Sequence, residues 1–74
     1  MAYLAEVTDL ADRLTPREFE VVQLIADGLH PPEIARDWGI DSKTVNGHVA
    51  SIRRKLGLHG YGAIGAWAAR NDLA

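Results

Sequence analysis

The chain has no cysteine, so no disulfide can hold its fold and no thiolate can bind a metal or attack a substrate. Aromatic residues are few: two Trp, two Tyr and one Phe among 74 residues. No apolar run approaches the roughly 18 residues of a membrane span. The opening stretch, MAYLAEVTDLADR, carries acids and no basic region, so it does not read as a signal peptide. A cytoplasmic chain with no membrane partner is the expectation. A Gly-rich phosphate loop and a carboxylate pair placed for acid–base work are also missing. With too little chain to enclose a substrate besides, an enzyme is not expected. His30, His48 and His59 are scattered rather than spaced as ligands, and neither metal nor cofactor is expected. Positive charge is short as well: 8 Lys and Arg against 10 Asp and Glu give a net charge of −2. Domains that bind nucleic acid are usually basic.

What is present is apolar and helical. Hydrophobic residues make up 47% of the chain, too many for a disordered segment and enough for one small core. Charge is unevenly spread. Residues 1–40 hold eight acids and three bases, whereas residues 41–60 hold Lys43, Arg53, Arg54 and Lys55 against Asp41 alone. The front is acidic and the segment after it basic.

Leu4, Val7, Leu10, Ala11 and Leu14 recur at helical spacing, which predicts an amphipathic arm or helix over residues 1–13, ahead of a domain over 14–74. Thr15-Pro16-Arg17-Glu18 predicts a helix start: Thr15 as cap, Pro16 in the first turn, Glu18 closing a capping box. Phe19, Val22, Leu24, Ile25 and Ala26 form its apolar stripe, and Gly28 ends it. A short second helix is predicted from Pro31 to about Trp38, with His30 as a weak cap, Ile34 and Ala35 facing inward and Gly39 as terminator. Asp41 caps a third helix over 42–56, whose buried stripe is Val45, Val49, Ile52 and Leu56. Its exposed side is then Lys43, Asn46, Gly47, Ala50, Arg53 and Arg54. Gly47 in mid-helix costs about 1 kcal/mol relative to Ala. A fourth helix from Gly62 to Arg70 sets Ile64, Trp67 and Ala68 on one side and is otherwise rich in small residues, which let a second helix approach. Tyr61 and Trp67 are large groups for so small a domain to cover.

Two helices joined by a tight turn, the second apolar on one stripe and positive beside the other, have the plan of a helix-turn-helix. The sequence LTPREFEVVQLIADGL, then EIARDWGI, then KTVNGHVASIRRKLGL, resembles the LuxR/FixJ-type helix-turn-helix DNA-binding domain over residues 14–70. A sigma-factor region 4 opens with the same LTPRE but has a different third helix. In length the chain resembles the single-domain member that regulates spore-coat genes, and equally a piece of a larger regulator. The resemblance implies an all-α, four-helix domain with a possible extra N-terminal helical segment. It implies a DNA-binding transcriptional regulator whose third helix enters the major groove and whose fourth mediates dimerisation.

Carried over by position, the resemblance gives phosphate contacts to Lys43, Thr44, Arg53, Arg54 and Lys55, and base contacts to Asn46, Gly47 and Ala50. The dimer interface would use Tyr61, Ala63, Ala66, Trp67 and Arg70. The chain departs from the family in its readers: Asn46 can bond to adenine, Gly47 offers no side chain, and Ala50 offers at most a thymine-methyl contact. His59-Gly60-Tyr61-Gly62 also stands where the family often has Ser or Asn followed by Arg-Thr. The expected partners are duplex DNA and a second copy of the chain. The alternative is a protein-interaction module that binds RNA polymerase or another regulator.

Overall fold

The computed structural model describes residues 13–71, and within them it holds four helices and no strand. They are α1, Pro16–Ala26; α2, Pro31–Trp38; α3, Ser42–Leu56; and α4, Gly62–Arg70. The expected arm over residues 1–13 lies outside the described residues, save Arg13.

Local chemistry starts and stops each of the first three helices. At α1 the Glu18 amide donates to the Thr15 hydroxyl at 3.1 Å, and the Thr15 amide donates to Glu18 Oε1 at 2.8 Å, so two orphan donors are satisfied reciprocally. At α2 the Glu33 carboxylate accepts from the His30 amide at 2.9 Å. At α3 the Asp41 carboxylate accepts from the Lys43 amide at 2.8 Å. The three ends share one device: a glycine at positive φ followed by an apolar residue. Leu29, Ile40 and Leu58 each donate an amide to a carbonyl five residues back, Leu24, Ala35 and Arg53, at 3.0, 3.0 and 2.8 Å. The left-handed turn at Gly39, φ 66°, holds the α2–α3 connection to three residues and makes these helices a helix-turn-helix.

The core draws on every helix. Leu14, Val21, Val22 and Ile25 meet Ile34 and Ala35, then Val45, Val49, Ile52 and Leu56 of α3, and Ile64, Trp67 and Ala68 of α4. α1 packs on α4 and α3, and α2 packs mainly on α3. Full burial of side chains such as Ile34, Ile52 and Ile64 contributes about 1.5–3 kcal/mol each.

The stripe on α1 differs from the expected one. Glu18, Val21, Val22 and Ile25 are buried, while Phe19, Leu24 and Ala26 pack half-buried at the rim. A carboxylate in the inner row disguised the register. Tyr61 and Trp67 also differ from expectation. The domain buries Trp67, 5% exposed within the core, and partly covers Tyr61, whose hydroxyl donates to the Leu29 carbonyl while its ring stacks on His30, centroids 5.6 Å apart.

Candidate nucleic-acid interface

With one stripe of α3 spent on the core, the rest of the helix faces outward. Lys43, Thr44, Asn46, Gly47, Ala50, Arg53 and Arg54 are all exposed. Positions 43, 47, 50 and 54 fall at three- and four-residue steps, so they form one row along the helix, with 46 and 53 beside it. Lys43 stands at the start of this row and the two arginines at its end. Between them the surface is low, made of Asn46, Gly47 and Ala50. The helix thus offers two cationic ends and a flat middle with one amide able to donate and accept. The arginines also sit where the carbonyl end of the helix favours positive charge.

Gly47 is not required by the packing of the described residues. A Cβ built there meets none of them within 4 Å, and its backbone is ordinary helix. Its helix-propensity cost of about 1 kcal/mol is therefore not repaid by any internal packing.

Lys55 stands apart from that row. Its ammonium lies 2.7 Å from Glu18 Oε1, the oxygen that also accepts from the Thr15 amide. The Glu18 side chain is 5% exposed and that of Lys55 29%. Burial alone would push the Glu18 carboxyl up. The hydrogen bonds from Lys55 and the Ser51 hydroxyl, the Thr15 backbone and the Lys55 charge more than reverse this, and hold it at about 2. Lys55, expected among the phosphate contacts, thus has its ammonium on Glu18 and ties α3 to α1.

On α4 the residues expected at a dimer interface divide. Trp67 belongs to the core and Tyr61 to the junction with His30, so neither is a free apolar group. Ala66, Ala69 and Arg70 are exposed, and Ala63 and Gly65 half-buried, leaving a low surface along one side of the helix.

Sequence reasoning missed three features. The Glu18–Lys55 pair spans 37 positions and has no local signal. The Arg17 guanidinium lies 4.0 Å over the Trp38 ring and 3.1 Å from Glu20, joining α1 to α2 at the surface. An open depression also lies beside the end of α3, lined by Ala50, Arg53, Arg54, Gly57, Leu58 and His59. Of its lining, Ala50, Arg53 and Arg54 were expected to face DNA, whereas Leu58 and His59 were not.

Residues 12–64 match the profile of the luxR family of bacterial regulatory proteins. The uncharacterized response regulatory protein YgeK of Escherichia coli K12 is 46% identical over 48 residues, 65% of this chain and 33% of that protein. The transcriptional regulatory protein DesR of Bacillus subtilis is 46% identical over 46 residues, 62% of this chain and 23% of its own length. LiaR, a transcriptional regulatory protein of the same species, is 37% identical over 62 residues, 84% of this chain and 29% of its own. The match therefore spans a third or less of each of these relatives.

Proposed function

The chain belongs to the luxR family of bacterial regulatory proteins, and from that premise we propose that it binds duplex DNA through α3 and regulates transcription. The observation that carries this reading is the outward row of α3, with cations at its two ends and nothing bulky between them on a helix-turn-helix frame. Lys43, Thr44, Arg53 and Arg54 would take phosphates, and Asn46 would read an adenine edge, with Gly47 and Ala50 giving the duplex room. Relatives named as transcriptional regulatory proteins support the same reading. A dimer through the low face of α4, around Ala63, Ala66 and Arg70, would set two α3 helices on half-sites about one helical turn apart.

Exposed acids on the first two helices support a second reading. Glu20, Asp27, Glu33 and Asp37 are all exposed on or beside α1 and α2, among the exposed Arg17 and Arg36. A domain held by its partner through these acids would be a protein-interaction module, docking on another regulator or on the polymerase.

Salt-titrated binding to random-sequence duplex DNA separates the two. With three or four phosphate contacts, log K should fall with log salt at a slope of about −3. An absence of binding at roughly 50 mM salt and micromolar protein would reject the DNA reading and leave the interaction module.

A further inference from the structure

The turn after α3 adds chemistry that the outward row does not account for. Ala50, Arg53 and Arg54 from the helix and Gly57, Leu58 and His59 from the turn enclose an open depression of about 400 Å³. Gly57, at φ 66°, reverses the chain, and the Leu58 amide returns to the Arg53 carbonyl at 2.8 Å. This closes the helix and brings His59 to the same hollow as Arg53. Among the described residues, the lining carries two guanidiniums and an imidazole, and no carboxylate. Arg53, Arg54 and His59 are all exposed. Ala50 and Gly57 keep the floor low, so an entering group meets cations at the rim and little bulk beneath.

We propose that this depression seats a backbone phosphate of duplex DNA, held jointly by Arg53 and His59 where α3 leaves the groove. The inference rests on the reading of α3 as the DNA face. The depression is continuous with that face, because Ala50, Arg53 and Arg54 belong to both. Arg54 Nη2 lies 3.4 Å from the Ser51 hydroxyl, whereas Arg53 makes no side-chain hydrogen bond among the described residues, so Arg53 is the guanidinium assigned to act with His59 here. A phosphate suits the site by charge and by donor geometry, since both groups present N–H donors to an anionic oxygen.

The imidazole makes the contact depend on protons. Among the described residues, the other charged groups lining the depression are the two guanidiniums of α3. A bound anion favours a protonated imidazole, so affinity for phosphate is higher at low pH than at high pH.

The test is binding to random-sequence duplex across a salt series at pH 6 and pH 8. The wild type should bind up to about tenfold tighter at pH 6, with a salt slope steeper by about one. His59→Ala should match the wild type at pH 8 and show neither gain at pH 6. His59→Lys should bind tightly with no pH response. His48→Gln, altering the half-buried histidine of α3, should keep the wild-type response. DNA binding that is flat in pH for the wild type, or that keeps its pH response in His59→Ala, overturns the phosphate site and leaves the DNA face standing. No binding by any variant removes both.

Discussion

Glu18 serves two helices through one oxygen. Oε1 accepts from the Thr15 amide at the head of α1 and from the Lys55 ammonium near the end of α3. Removing the charge leaves a half-buried ammonium without its partner, which costs more than the pair itself contributes. Glu18→Gln should therefore destabilise the domain by about 2–4 kcal/mol at pH 7, a fall in Tm on the order of 10 °C for a domain this small. The pH dependence follows from the lowered pKa. The folded value, about 2, lies below the unfolded value, so the stabilisation is present above about pH 5 and is lost as pH falls toward 2. The gap between the wild-type and Glu18→Gln melts should close over that window. A gap as wide at pH 2.5 as at pH 7 would mean that the pair does not supply it.

Gly47 makes the opposite kind of prediction. Space for a Cβ is open and the backbone is helical, so Gly47→Ala should stabilise the fold by about 1 kcal/mol. If the duplex lies against the flat middle of α3, the same methyl should weaken DNA binding severalfold. Melting and binding measured on one variant check both signs. A stabilised variant that binds DNA as well as the wild type would show that no close approach occurs there.

The helices were legible in the sequence wherever a short-range rule decides them. Thr15 with Glu18, Asp41 alone, and the glycines 28, 39 and 57 mark ends by bonds that reach two to five residues, so the bounds of α1, α2 and α3 follow from local chemistry. The stripe of α3 was legible because all four inward residues are apolar. On α1 it was not, because Glu18 occupies an inner position and Val21 was passed over for Leu24. The Lys55 and Tyr61 partners were hidden for a different reason: they lie 37 and 32 positions away, across the fold. The exposed row of α3 came from the same periodicity, whereas the part of His59 depends on how the turn folds back after Gly57. The phasing of α3 has a direct check. Val49 is 7% exposed and sits in the middle of the inner stripe, so Val49→Asp should cost about 3–5 kcal/mol by burying an unpaired carboxylate. Thermal melting followed by circular dichroism reads the effect, and an unchanged Tm would overturn the phasing.

Among the described residues, exposed bases line α3, while α1 and α2 carry exposed acids together with the exposed Arg17 and Arg36. A net charge of −2 gives little long-range attraction to DNA, so binding must come from the local field of α3. One domain with the proposed three or four phosphate contacts and one base reader would bind weakly, and pairing two domains would multiply what each contributes. The surface proposed for pairing is the low side of α4, because Trp67 is buried and Tyr61 partly buried within the monomer. Small residues there let two helices lie close, and a two-fold interface would use the same patch from both subunits. Burial on that patch would also add to the stability of a core drawn from so short a chain. Ala66 is exposed at the centre of this side, so Ala66→Glu should leave the monomer folded, place two carboxylates against each other across the two-fold, and abolish pairing. Light scattering at micromolar concentration should then report half the wild-type mass, and DNA affinity should fall together with it. A wild type that is monomeric in solution and binds DNA as one copy per site would rule out pairing through α4. The exposed acids of α1 and α2 would then be the proposed contact with a partner.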